Sequence, residues 1–138
     1  MKDRKTFLTN LKEAELIKLL KTKLIPDLQD TSEFNRKDGY SPSTDVIFEF
    51  KCRVRHYDTI LMDKAKYEAL MRSKRVRFVV STPEGIWSWN LKKLKDLVWE
   101  QRELPGSTWY YRAYPNVLKT VTYLDIKDAK NLTDILLS

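Results

Sequence analysis

The sequence predicts a mixed α/β domain: a central mixed sheet flanked by helices, with elements in the order α-β-β-α-β-β and further strands toward the C-terminus. Three observations carry this expectation. Leucines recur at helical spacing near the start, β-branched and aromatic runs alternate with turn residues through the middle, and a second helical pattern separates two pairs of such runs. With 138 residues, 42% hydrophobic and 33% charged, the chain has material for one core. Three Gly and five Pro are too few for a repetitive or disordered chain. One domain over 1–138 is expected.

Asn10, followed three residues later by Glu13, resembles a capping box, and Leu11, Leu16, Leu19 and Leu20 repeat helically until Pro26. A first helix near 10–24 follows. The alternation Phe34, Arg36, Asp38, Tyr40 predicts a strand, Ser41-Pro42-Ser43-Thr44 a turn, and Val46-Ile47-Phe48-Glu49-Phe50-Lys51 a second strand, together a hairpin. Asp58 is placed to cap a helix running to about Ser73. Residues 77–81 read as the next strand, and the turn Thr82-Pro83-Glu84-Gly85 leads to its partner over 86–89. Residues 90–102 look helical or mixed, 109–112 and 119–126 look like strands, and 128–137 a short closing helix. There is no internal repeat and no Ser/Gly linker.

The composition also bounds the chemistry. A single cysteine, Cys52, precludes an internal disulfide, and no apolar leader or membrane span is seen, so a reducing, cytoplasmic setting is expected. One cysteine and one histidine, His56, leave little scope for a Cys/His zinc site or a hydrolytic triad. An enzyme of this composition must work through carboxylates and lysines. The net charge is +7, and nine basic against three acidic side chains between Lys51 and Arg77 hold nearly all of that excess, as a phosphate-facing surface would.

Glu49 and Lys51, two apart in a strand, emerge on one face and set a carboxylate beside an ammonium. The acid-x-Lys pattern alone is cheap: Asp3/Lys5, Asp125/Lys127 and Asp128/Lys130 repeat it. Magnesium-assisted phosphodiester hydrolysis needs a second oxygen ligand close by. A hairpin folded about Ser43 pairs residues whose numbers sum to about 87, which sets Asp38 across from Glu49. Asp45 lies about 13 Å along the same strand. Asp27, after Pro26, has nothing to direct it inward. The order of preference is Asp38, Asp45, Asp27. Glu15 falls inside the apolar face of the first helix, where a carboxylate is costly unless paired or coordinated, and is a further candidate. In the second helix Ile60, Lys64, Tyr67 and Met71 form one stripe, which makes Lys64 a secondary candidate beside Lys66 in the basic stretch. The Asp125/Lys127 triple has too little chain after it to complete such a site and reads as an ordinary late strand. The four tryptophans, Trp87, Trp89, Trp99 and Trp109, could stack on bases, with core packing the commoner fate.

A helix with an inward glutamate, a hairpin carrying Asp38, Ile47-Phe48-Glu49-Phe50-Lys51, a basic helix and another strand together resemble the PD-(D/E)xK nuclease superfamily. The likeness covers about residues 10–82, with 83–138 as an extension of the same domain. Asp38-x10-Glu49-x-Lys51, followed by Cys52-Arg53 and Tyr57-Asp58-Thr59, is similar to small phage-encoded endonucleases. The departure is that Lys37, not proline, precedes Asp38. The resemblance implies a restriction-endonuclease-like core and magnesium, with manganese able to substitute. It implies Asp38, Glu49 and the Phe50 carbonyl as metal ligands, Glu15 assisting, and Lys51 positioning water or stabilising charge.

The expectation is a magnesium-dependent DNA endonuclease, structure-selective toward branched or junction DNA, in the cytoplasm of a host if phage-encoded. Arg53, Arg55, Lys64 and Lys66 would contact nucleic acid, and junction cleavage would require a homodimer. Two alternatives are a catalytically inactive nucleic-acid-binding module on the same fold and a structural or inhibitory partner protein.

Overall fold

The computed structural model describes residues 3–30, 39–104 and 117–138. Two helices open it. Arg4–Thr9 (α1) is capped by Asp3, whose carboxylate accepts from the Lys5 amide at 3.2 Å. Glu13–Lys23 (α2) starts after Lys12. The expected start at Asn10 is therefore corrected: Asn10 closes α1, its amide returning to the Thr6 carbonyl. Buried Leu8 and Leu11 carry the leucine pattern across the break, so periodicity alone could not reveal it.

The remaining elements are Gln29–Asp30 (β1), Gly39–Ser41 (β2), Val46–Cys52 (β3), Thr59–Asp63 (β4), Lys64–Met71 (α3), Val76–Thr82 (β5), Gly85–Asn90 (β6), Glu100–Leu104 (β7), Val117–Asp125 (β8), Lys130–Asn131 (β9) and Thr133–Leu137 (α4). Six strands form one sheet in the order β1-β2-β3-β5-β6-β9, and β4-β8-β7 form a second. Strands β3 and β5 are parallel and every other pair is antiparallel, so the main sheet is mixed and flanked by helices, as expected. The β2–β3 pairs Gly39–Phe48, Tyr40–Ile47 and Ser41–Val46 keep the predicted sum of 87. Asp38 itself, with the expected strand residues 33–37, lies outside the described residues.

Each face of the main sheet covers its own core. On one, Phe48, Phe50, Val79 and Ile86 pack with Leu8, Leu16, Leu20 and Leu136 from α1, α2 and α4. On the other, Phe78, Val80 and Trp89 pack with Ile60 and Met62 of β4, Leu70 of α3 and Leu124 of β8. Gly39 permits the first core to close: a Cβ there would sit 3.1 Å from both Leu28 Cδ1 and Phe50 Cε2.

Two further expectations are corrected. The helix expected from Asp58 to Ser73 is a strand followed by a shorter helix, because Thr59–Asp63 alternates its exposure and pairs with β8. Asp63, not Asp58, caps it, accepting from the Ala65 amide at 2.8 Å. Residues 90–102 form a single 3-10 turn, Leu91–Lys93, then extended chain leading into β7. Leu91, Leu94 and Leu97 imitate helical spacing, yet Asp96 sits at φ 58°, which no helix tolerates. Strand 119–126 is present as β8, and the 128–137 helix is reduced to α4 behind the short β9. The strand expected at 109–112 lies outside the described residues. No described helix is long and apolar enough to cross a membrane.

Candidate active site

The side chains of β3 alternate between the two cores. Phe48 and Phe50 enter the first core with their rings stacked at 5.8 Å, which turns Glu49 and Lys51 to the other face, beside Phe78 and Val80 of β5. Glu49 is 2% exposed. A carboxylate taken so far from water needs compensating charge. Lys66, from the first turns of α3, supplies it, its ammonium donating to Glu49 Oε2 at 2.7 Å.

Lys51 follows at the open end of the strand, half-buried. Burial holds its ammonium below the ordinary lysine range, the nearby Lys66 and Arg53 push the same way, and the negative charges of Glu49 and Glu13 partly oppose them. A desolvated lysine beside a buried carboxylate and two further cations is an arrangement that functional sites and structural ion-pair networks both use.

The helical carboxylate expected at the site is corrected. Glu15 is exposed and spends its Oε1 on the Lys12 amide at 2.9 Å, capping α2, so it does not turn into the core. With the helix starting at Glu13 rather than Asn10, the acid of α2 whose charge reaches Lys51 is Glu13, two residues earlier. Sequence reasoning missed it by giving Glu13 the capping role. Lys64 and Lys66 exchange roles in the same way: Lys64 is exposed, its ammonium 5.7 Å over the Trp99 ring, while Lys66 reaches the buried acid. The stripe that favoured Lys64 began at Ile60, which belongs to β4 and not to the helix.

Asp27 and Asp45 stand at the opposite end of β3. Asp27 accepts from the Ser43 amide at 2.7 Å and the Ser41 hydroxyl at 2.8 Å, bonds that hold its carboxyl below the ordinary aspartate range. Asp45 occupies the turn at φ 56° and accepts from the Tyr40 hydroxyl at 3.1 Å. Both pin the hairpin turn, and Asp45 lies about 13 Å from Glu49 along the strand. Asp125 likewise caps a 3-10 turn through the Lys127 amide at 2.9 Å, in keeping with an ordinary late strand.

The chain leaves β3 through an exposed basic loop, in which Arg53 and Arg55 face solvent. His56 is held on both ring nitrogens: its Nδ1 lies 2.9 Å from the Thr82 hydroxyl and its Nε2 3.4 Å from Asp58. Trp87 and Trp89 belong to the second core, and Trp99 packs edge-on against Tyr67 at 5.2 Å. Trp109 lies outside the described residues.

Among the described residues no three His, Cys, Asp or Glu side chains converge on one point. Magnesium asks for less, taking one or two carboxylates and completing its shell with water and phosphate oxygens. Glu49 offers one buried carboxylate, already paired with Lys66. Compared with family models, with characterised proteins and with solved structures, the chain matches none.

Proposed function

We propose that this chain is a magnesium-dependent DNA endonuclease. The observation that supports the reading most strongly is the buried Glu49 with the desolvated Lys51 two residues on, at the end of a strand that runs directly into exposed arginines. Glu49, with the Phe50 carbonyl and Asp38, would hold the cation. The ion would supply a water of lowered pKa and polarise the phosphate.

The side chains have distinct tasks. Lys51, a compact charge made more reactive by burial, orients the attacking water and balances the charge that develops on the phosphate oxygens. Lys66 holds the Glu49 carboxylate in place through its hydrogen bond. Arg53 and Arg55 hold the flanking backbone without reading its sequence. A small domain with little added recognition structure suits structure-selective cutting, and a junction would demand two copies of the site.

One observation favours a second reading, a catalytically inactive DNA-binding module: Lys66 already neutralises Glu49 without any cation. Calorimetric titration with manganese separates the two, since the endonuclease takes up the ion at Glu49 and the module does not. Branched, duplex and single-stranded DNA incubated side by side with magnesium test the proposal itself. Cleavage that depends on the metal is expected, and intact DNA in every lane overturns it.

A further inference from the structure

The loop from Arg53 to Asp58 is fastened at three points. The Arg53 amide donates to the Ser81 carbonyl at 2.8 Å, continuing the β3–β5 ladder, and the Asp58 carbonyl accepts from the Ile126 amide at 3.0 Å. Between them His56 is clamped by Thr82. The Thr82 hydroxyl already accepts from the Glu84 amide at 3.1 Å and the Trp87 indole at 3.4 Å, which fills both its lone pairs. Its own proton is left for His56 Nδ1, so the imidazole carries hydrogen on Nε2, toward Asp58.

A loop held this firmly nevertheless turns large apolar side chains outward. Tyr57, next to the clamped histidine, is 60% exposed and Val54 is 71% exposed. Neither contributes to a core. The loop itself carries Arg53 and Arg55 against one acid, Asp58, and follows directly on Lys51. A solvent-facing aromatic ring on an anchored loop, among cations, fits a polyanion with exposed π-faces, the combination found where single strands stack on protein. An apolar protein partner would gain nothing from the three positive charges.

We propose that the Arg53–Asp58 loop is a stacking platform for unpaired bases of DNA, with Tyr57 covering a base while Arg53 and Arg55 hold the adjoining phosphates. His56 and Thr82 are positioning residues that keep the ring at its height. This rests on the endonuclease reading and deepens it, naming DNA with unpaired bases, as at a fork or junction, as the substrate class.

The test is fluorescence anisotropy in EDTA, with a labelled single strand and the matching duplex, each roughly 20 nucleotides long so that it exceeds the site size of small single-strand binders. Tyr57→Ala is expected to weaken single-strand binding about fivefold or more, the value of one lost stacking contact, while Tyr57→Phe retains it. Duplex affinity should change by less than about twofold, because duplex contacts are made to phosphate. Arg55→Ala should weaken both substrates alike. An unchanged single-strand affinity for Tyr57→Ala, or an equal loss on single strand and duplex, overturns the assignment. With no metal present the assay reads the loop and not the chemistry. Losing the Tyr57 dependence sinks the platform and leaves the cleavage centre standing, whereas an enzyme that keeps it yet never cuts sinks the centre alone.

Discussion

The ammonium of Lys66, from the helix that crosses between the two parallel strands, meets the carboxylate of Glu49 at 2.7 Å, with the glutamate side chain 3% and the lysine side chain 38% exposed. The acid is therefore committed to the interior while its partner keeps contact with solvent. In such a pair, removing the cation is worse than removing both charges, because the remaining carboxylate stays desolvated. Lys66→Met should cost about 1–3 kcal/mol of stability, and adding Glu49→Gln should recover part of that loss. Urea unfolding of the two single variants and the double variant checks this through a coupling energy. Strict additivity would show that the contact does nothing for the fold.

Glu15 gives a separate test of the corrected site. Since its carboxylate closes the first turn of α2 on the Lys12 amide, Glu15→Ala should lower stability by about 0.5–2 kcal/mol, the usual loss for a helix cap. Metal-dependent cleavage should survive in that variant. Cleavage lost in a folded Glu15→Ala protein would return Glu15 to the site.

Asp27 predicts a pH dependence. Its folded-state pKa lies below the ordinary 3.8 because the Ser43 amide, then the Ser43 and Ser41 side chains, favour the ionised form. The folded protein thus binds this proton less readily than the unfolded chain. The contribution is present above the ordinary aspartate value and is lost as pH falls through the lower folded value. Thermal melts should show Asp27→Asn less stable than wild type at neutral pH, with the gap closing in acid. A gap that persists in acid would contradict the assignment.

Trp89 joins the two sheets. Fully buried, it donates from Nε1 to the Asp125 carbonyl at 2.9 Å. Trp89→Phe strands that carbonyl and opens a small void, so a loss of about 1–3 kcal/mol in chemical unfolding is expected. A change within about 0.5 kcal/mol, the range of neutral surface substitutions, would mean that the sheets are held otherwise.

Much of this architecture was legible in the sequence, for identifiable reasons. The β2–β3 register follows from one turn and one alternating strand, and both are local signals. Glu49 and Lys51 share a face because strand periodicity is exactly two by geometry. What was hidden needed information from distant chain. Strand β4 exists because β8, about sixty residues later, pairs with it, and Ile60 alone reads equally well as helix. The exchange of Glu13 for Glu15 and of Lys64 for Lys66 followed from misplaced helix starts. A shift of two or three residues turns a helical side chain through about 200–300°, so an error at the cap becomes an error in the site.

Glu49 and Lys51 are proposed to make the phosphodiester-cleaving centre together. Magnesium-dependent cleavage of forked DNA by wild type, Glu49→Gln and Lys51→Ala tests it most directly, with DNA affinity measured in parallel. Each substitution should slow cutting about a hundredfold or more while binding persists, as for the loss of a group that acts on the transition state. Cleavage at the wild-type rate in both variants would contradict the account.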